Sequence, residues 1–565
     1  MRRVIAPLTS LAFLVAVALG AAAQVNPPVP PPPSGPVNPP GSVVTPAPST
    51  PPTESPGTSP SPGATPAPGA ETPVPTASPT QPPILIEPPQ VSVEPGKTVA
   101  ARINSSLGAL TATVADPSIA SAVVDQAQRT LYVGGLKVGT TTVTVTDARG
   151  LTRDIPVRVA YAAGTVAEEI MLRVTGNPTS SDYLREAIAD AVERAATLRP
   201  GVTLDIPPES VPVHGDLRID NRIAVDVRVH VEGNGYLPVN GVTHVVVENT
   251  ALPPIQPARL LVSDYPERLT ANGLLFTARL DRAQAQRFLY YHYNPGTEPA
   301  RRILLKAHNA SNAWGTVQLI EGQGGPGPNE MEIGHLSTKR FLVREARNEG
   351  RVVPIPPGAT VNLVDHGLPP QMVVSGILQL RLVTGDPLDL ALVAQDASAP
   401  LDQSLDTTQL LAGGAPHARG VYPVPTFFFD RTYDVDGEDL EIAIGQLPLP
   451  NLRQGEALSG DYGVEQSMSV VIVNMTRGPR SIALYANPRG GRATGTFIVN
   501  GTLVQAHALP AFSKFKIWQE RINAGTFRRI KVVTMPEGGS SYPLRLIFAP
   551  DDGSVAPGAP GSPVY

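Results

Sequence analysis

A strict alternation of apolar and polar side chains near the middle of the chain predicts a half-buried β-strand. Its apolar members are Ile223, Val225, Val227, Val229 and Val231. Shorter apolar runs separated by turn residues fill most of the remaining chain, and one segment has the spacing of an amphipathic helix. The pattern therefore predicts a mainly β fold, with several Ig-like β-sandwiches and one small α+β domain.

The first series of short strands spans residues 84–162 and predicts an Ig-like β-sandwich. Alternating segments such as Thr141–Thr146 and Arg153–Val159 are joined by turns. At Asp116-Pro117-Ser118, for example, aspartate caps its own backbone and proline presets φ. Short strands with regular turn signals are typical of sandwiches.

The single predicted helix lies in residues 163–252, which we interpret as a small α+β domain. It begins near Thr179 or Ser180, has apolar residues three or four apart, and ends at Pro200-Gly201. A strand is predicted directly after it, at Val202–Ile206, before the alternating strand described above.

Two more β-sandwiches are predicted in the C-terminal half, where the strands assigned from alternation include Phe341–Arg344. Asn309 and Asn474 occupy similar strand ends, which suggests two copies of one domain. Because all sandwiches share alternation, the sequence leaves open whether these are true repeats. The predicted divisions are a β-sandwich at 253–400, a linker at 401–420, a β-sandwich at 421–550 and a disordered tail at 551–565.

The N-terminus has the features of an export signal. Arg2 and Arg3 precede the apolar run Leu11–Leu19, and Ala21-Ala22-Ala23 offers a cleavage site. The run is shorter than the roughly 20 residues that a bilayer span needs. We therefore expect a signal peptide at 1–23 and no transmembrane segment in the mature chain.

Residues 24–83 are rich in proline, which fixes φ and removes backbone donors. This composition predicts a disordered linker with polyproline II stretches. A passive arm and a ligand for a proline-binding partner are both consistent with it.

Three motifs in the first predicted sandwich carry a resemblance to known families. They are Val91–Gly96, Ala115–Ala120 and Gly135–Asp147. The segment resembles bacterial Ig-like domains of the second group, and also the N-terminal domain of Flp/Tad-type pilus secretins. The resemblance covers only about residues 84–160. It implies a spacer, adhesin segment or assembly module, and it brings no catalytic residues.

Composition narrows the chemistry further. The chain has no cysteine, so disulfides, thiolate metal sites and cysteine nucleophiles are excluded. Its 44 basic and 49 acidic residues give a net charge of −5, without a long basic stripe. We therefore expect no nucleic-acid partner.

Candidate sites are few. The Gly-x-Gly-x-x-Gly match at Gly322–Gly327 is flanked by prolines and no helical pattern follows it, so we interpret it as a loop rather than a dinucleotide site. We expect no cofactor, with the exception of calcium that an acidic turn could hold weakly. Its candidate ligands are Asp434, Asp436, Glu438 and Asp439.

An aromatic run on a predicted strand, together with Trp314, could line a carbohydrate-stacking face, although packing in the core and at the sheet edge is the favoured explanation. Its members are Tyr290, Tyr291, Tyr293 and Trp314.

The sequence contains no recognisable catalytic constellation, so we expect a non-enzymatic structural or binding protein. The signal places it in the periplasm, at the cell surface or outside the cell. We expect a protein or a cell-surface polysaccharide as its partner. Alternative functions are an accessory component of a pilus or secretion assembly, and a carbohydrate-binding or carbohydrate-active protein.

Overall fold

The computed structural model describes residues 82–401 and 409–554. The predicted signal peptide at 1–23, almost all of the segment at 24–83 and most of the tail at 551–565 lie outside these residues. Strands dominate the described part of the chain, which confirms the mainly β prediction. Within the same residues, no helix has the length and apolar character that a membrane span requires.

The first module is a sandwich of eight short strands. They are β1 (Leu85–Glu87), β2 (Val91–Val93), β3 (Thr98–Asn104), β4 (Thr111–Val114), β5 (Ala120–Asp125), β6 (Thr130–Gly135), β7 (Gly139–Thr146) and β8 (Thr152–Val159). Two four-stranded sheets are ordered β1-β3-β6-β5 and β2-β8-β7-β4. Alternation places Val143, Val145, Ile155 and Val157 in the core between the sheets.

The next segment combines one helix with short and long strands. They are β9 (Gly164–Thr165), β10 (Glu169–Thr175), α1 (Ser181–Ala195), β11 (Thr197–Leu198), β12 (Arg222–Val231) and β13 (Val239–Asn249). Helix α1 begins where the sequence predicts, because the Ser180 side chain accepts a hydrogen bond from the Tyr183 amide. The strand predicted at 202–206 is not formed. The Ile206 amide instead donates to Glu193 Oε1 on α1, at 2.6 Å.

A long segment follows, with a second helix among its strands. It contains β14 (Pro257–Ser263), β15 (Gly273–Leu280), β16 (Ala285–Tyr293), β17 (Arg301–His308), β18 (Gly315–Gly327), α2 (Glu330–Arg347), β19 (Gly350–Ile355), β20 (Thr360–Leu368), β21 (Val373–Thr384), β22 (Leu388–Asp396) and β23 (Arg419–Tyr422).

One nine-stranded sheet crosses the domain boundary predicted at residue 252. Its order is β12-β13-β10-β19-β18-β21-β16-β14-β23. The join is a short pairing in which Val174 opposes Arg351 and Thr175 opposes Gly350. The segments 163–252 and 253–400 therefore share a sheet, and their predicted separation is wrong. Strand β23 also begins inside the predicted linker at 401–420.

Helix α2 replaces the strand predicted at 341–344 and follows the glycine-rich segment directly. The expectation that no helix follows Gly327 is therefore wrong. The glycines let the helix backbone rest on β18. A Cβ at Gly322 would lie 2.2 Å from the Ser337 carbonyl oxygen, and one at Gly324 would lie 2.1 Å from the Ile333 carbonyl oxygen. The motif thus serves close helix–strand packing.

The last segment forms the second of the two C-terminal sandwiches. Its strands are β24 (Thr426–Asp434), β25 (Leu440–Ile444), β26 (Glu465–Asn474), β27 (Arg480–Pro488), β28 (Ala493–Val499), β29 (Thr502–Leu509), β30 (Phe515–Ile522), β31 (Thr526–Thr534) and β32 (Leu544–Pro550). The tail predicted from residue 551 begins with an ordered turn, because the Asp551 amide donates to the Ser481 carbonyl at 2.9 Å.

The two C-terminal sandwiches have the same strand order. In the first, β14-β16-β21-β18-β19 faces β15-β22-β17-β20; in the second, β24-β26-β31-β28-β29 faces β25-β32-β27-β30. The first pair of each larger sheet is parallel. Nine strands therefore correspond one to one. Helix α2 is an insertion between the fifth and sixth strands of the first copy, β18 and β19, where the second copy joins β28 to β29 by a tight hairpin.

Local details support this correspondence. The pairing of β17 with β20 and the pairing of β27 with β30 each contain one register shift. The shift follows the fifth residue of the strand in both copies, after Leu305 and after Leu484. The side-chain amide of Asn474 donates to two carbonyls, one of them Ile522, and Asn294 does the same with Leu368 as its partner. Asn474 is thus the counterpart of Asn294, and its predicted equivalence to Asn309 is wrong.

Candidate functional site

The predicted aromatic residues do not form one face. Tyr290 and Tyr291 project to opposite sides of β16, as neighbours on a strand must. Tyr290 is fully buried and lies 2.9 Å from His366 Nδ1, whereas Tyr293 stacks against Arg268. Trp314 is exposed.

Trp314 also lies far from the tyrosines. Tyr293 opposes Val373 at one end of β21, and the Trp314 carbonyl approaches Gly385 just beyond the other end. Strand β21 has 12 residues, which corresponds to roughly 40 Å. The predicted stacking face is therefore not assembled.

The acidic turn after β24 is open and only partly paired. Asp434 accepts a hydrogen bond from the Asp436 amide at 3.2 Å, and Asp436 meets Arg480 at 3.4 Å. Glu438 and Asp439 are exposed. Across residues 82–401 and 409–554, no three histidine, aspartate or glutamate side chains are grouped so that they could hold a metal ion. The structure does not bring the calcium candidates together.

A cleft where the two C-terminal sandwiches meet is a candidate site. We call it the junction cleft; it has a volume of about 470 Å³. Its walls are the turn after β14, the outward side of β16, the N-terminus of α2, the loop before β23, and the 456–459 and 538–540 loops of the second sandwich.

Two glycines of the 538–540 loop close one wall. A Cβ on Gly538 would lie 3.0 Å from the Tyr291 ring, and one on Gly539 would lie 2.5 Å from the Glu330 backbone. Gly539 has a φ of +73°, which favours glycine. The second sandwich therefore approaches α2 and β16 as closely as backbone allows.

A charged triad lies along the floor of the cleft. His417 Nδ1 is 3.3 Å from Asp264 Oδ2, and His417 Nε2 is 3.2 Å from Glu267 Oε2. The hydrogen bond with Asp264 raises the pKa of His417. Burial raises the pKa of Asp264 to about 6 despite its hydrogen bond with His417. The imidazolium form of His417 can donate to both carboxylates.

His292, a buried neutral histidine, supports the turn that carries Asp264. His292 is fully buried, and burial lowers its pKa to about 4. Its Nδ1 lies 3.0 Å from the Pro266 carbonyl oxygen, and its Nε2 lies 3.3 Å from Ser263 Oγ. Neutral imidazole can donate with Nδ1 and accept with Nε2, so it fixes the turn that carries Asp264.

Two polar atoms at the cleft lack a partner among the described residues. They are Asp264 Oδ1 and the Tyr291 hydroxyl. Tyr291 is only 8% exposed, and burial followed by the charge of Glu330 raises its pKa well above the usual range. A buried polar atom without a hydrogen-bond partner costs folding free energy. Such atoms therefore mark a place where a ligand could supply the missing hydrogen bond.

Sequence reasoning did not find the junction cleft. Its key residues Asp264, Tyr291 and His417 come from three separate segments, and no short motif connects them. The run of tyrosines drew attention to Tyr291, but for stacking rather than for its hydroxyl.

Comparison with family models gives a match over the first module. Residues 87–160 match the family model of the pilus formation protein N terminal region. This supports the pilus-secretin side of the resemblance, while the group-2 Ig-like label stays a prediction. No curated protein matches the chain.

Solved structures give weak likenesses. Domains 4 and 5 of the S-layer protein SbsC are 22% identical over 14% of this chain and 50% of that one, so the match spans half of the solved fragment, with a TM-score of 0.13. The glucan-utilisation protein SGBP-B of Bacteroides ovatus is 10% identical over 54% of this chain and 74% of that one, also with a TM-score of 0.13. Neither likeness carries a functional argument.

Proposed function

We propose that this protein is an exported, non-enzymatic component of a pilus or secretion assembly. The observation that carries the proposal is the match of residues 87–160 to the pilus formation N-terminal region. That module is a sandwich with its own core, which suits an assembly module placed ahead of a larger body. The binding of a cell-surface polysaccharide remains a separate prediction.

The outer surface of the module offers a contact point for another protein. Val123 on β5 lies directly opposite Tyr132 on β6, and their side chains are on the face turned away from the core. Val123 is 67% exposed and Tyr132 is 37% exposed. Apolar and aromatic side chains gathered on a surface favour protein contacts.

The proposal predicts that this pair contributes to association. The full chain carrying Val123→Ser and Tyr132→Ser would be expressed from its own locus and captured from solubilised envelopes. We expect pilus or secretion components to be recovered with the wild type and depleted with the double variant. Val242→Ser is the matched control, because Val242 is also exposed, at 54%, but lies outside the module.

Recovery of the wild-type protein only as a free monomer would contradict the proposal. Equal recovery of partners with the double variant would retain the assembly role and reject this face as the contact.

A further inference from the structure

The junction cleft is formed but chemically incomplete. Asp264 Oδ1 and the Tyr291 hydroxyl both lack partners within the described residues, and both belong to side chains that line the cleft. An unpaired buried carboxylate oxygen accepts hydrogen bonds only, so the missing group must be a donor. Two unsatisfied groups at one cleft indicate a common ligand better than either alone.

The charge of the side chains that line the cleft favours a positively charged ligand. Four carboxylates line the cleft, on Asp264, Glu267, Glu330 and Glu456, against the single histidine His417. This excess of negative charge disfavours phosphates and carboxylates as ligands and favours groups that bring positive charge and several N–H donors.

Shape and donor chemistry favour a nitrogen cation. The volume of about 470 Å³ falls in the range of small-molecule sites, roughly 300–1,000 Å³. Within the described residues the carboxylates are not grouped as metal ligands. Ammonium and guanidinium groups donate three and five N–H bonds and pair with carboxylates at short range.

The geometry points to a binding site for a primary ammonium or guanidinium group at the junction cleft, held by Asp264 and by the Tyr291 hydroxyl. The cation is carried either by a free small amine or by a lysine or arginine side chain of a partner protein. The site does not depend on the pilus or secretion role, because its donors and acceptors lie outside residues 87–160.

Calorimetric titration of the full mature chain tests the inference with three organic probes. They are agmatine, acetyl-arginine-amide and its uncharged isostere acetyl-citrulline-amide. We expect saturable one-to-one binding of at least one cation and at least tenfold weaker binding of the citrulline compound. Tighter binding of acetyl-arginine-amide than of agmatine would identify a protein side chain as the source, and the reverse would identify a free amine.

Two variants locate the binding. Asp264→Asn should weaken it at least tenfold, whereas the matched control Asp439→Asn, on the exposed turn after β24, should leave it unchanged. Tyr291→Phe removes a hydroxyl that has no partner in the protein, so the unfolding midpoint should not fall while binding weakens several-fold. Tyr291→Phe therefore carries the test even if Asp264→Asn does not fold.

Several results would overturn the inference. They are no saturable binding of either cation up to 10 mM (about 2.7 kcal/mol of binding free energy), equal binding of the citrulline compound, and unchanged affinity in both variants. Saturation by Ca²⁺ alone, without either organic cation, would overturn it as well.

Discussion

Arg287 connects the two C-terminal sandwiches through a buried ion cluster, and its removal is the most informative test of how they are held together. The side chain is fully buried on β16. One guanidinium nitrogen contacts Glu345 of α2 at 2.8 Å and Glu465 of β26 at 3.1 Å. The guanidinium also lies over the Phe341 ring, with its carbon 5.3 Å from the centroid. The substitution Arg287→Met keeps much of the stem volume and removes the charge.

The expected loss follows from the charges left behind. Burial, followed by the neighbouring Glu345 carboxylate, raises the pKa of Glu465 to about 8, against a usual 4.5. The cluster therefore holds one cation between two acidic side chains, of which Glu465 keeps its proton to a higher pH than a free glutamate does. Without Arg287 a buried carboxylate loses its partner, which costs about 3–5 kcal/mol of unfolding free energy.

Urea unfolding followed by circular dichroism and tryptophan fluorescence measures this loss. Trp518 lies on β30 of the second sandwich and is packed against its core, so it reports on that part of the chain. The control is Arg545→Met, which breaks the partly exposed pair with Glu441 and should cost about 0–1 kcal/mol. A chain of several domains need not unfold in one step, so the free energy of unfolding of each variant is compared with that of the wild type separately for each transition.

The pH dependence provides a second readout with a definite sign. A carboxyl whose pKa is raised in the folded state stabilises the fold below its unfolded pKa, and that contribution is lost as the pH rises through the folded pKa. The contribution of Glu465 to stability should therefore decline between about pH 5 and pH 8. Glu465→Gln lacks this contribution, so the stability of the wild type relative to the variant should fall over the same pH range, and the variant should lose less than about 1 kcal/mol at pH 7. A loss of unfolding free energy under 1 kcal/mol for Arg287→Met would refute the reasoning. Equal losses for Arg287→Met and Glu465→Gln at pH 7 would refute it as well.

Two further variants test the packing around the helices. Burial by itself would raise the pKa of Glu321, but the charges of Arg351 and its neighbours outweigh it and hold the pKa below the usual range. Glu321→Gln should lower the free energy of unfolding, measured by denaturation, by about 3–5 kcal/mol at pH 7. This difference in stability from the wild type should shrink as the pH falls below about 4.5, because protonation of Glu321 removes the same ion pair from the wild type. Gly324→Ala should cost more than about 2 kcal/mol, because its Cβ would meet the Ile333 carbonyl; Gly367→Ala, where a Cβ meets nothing within 4 Å, should change stability little.

Alternation predicted most strands because burial on one face leaves a period of two in the sequence. Strand β12 is the clearest case, because its apolar residues from Ile223 to Val231 lie at alternate positions. Helix α2 was missed for a physical reason. Its buried side has Gly334, His335, Ser337 and Thr338 between Ile333 and the pair Phe341 and Leu342, so small and polar residues interrupt the apolar period that signals a helix.

Long-range features left no local trace in the sequence. The pairing of β10 with β19 joins residues such as Val174 and Arg351, and nothing in either segment specifies the other. The junction cleft was missed for the same reason, since Asp264 and His417 meet only after β14 pairs with β23. The shared order of the two sandwiches likewise required the sheet pairings rather than residue patterns.

Amine-reactive cross-linking in cells of the native organism tests the central claim most directly. Lys97 and Lys137 are exposed lysines of the first module, and Lys531 on the second sandwich serves as the internal comparison. The account predicts cross-links from Lys97 or Lys137 to a pilus or secretion component, identified by mass spectrometry. Cross-links confined to this chain, with the protein recovered only as a monomer, would contradict the account.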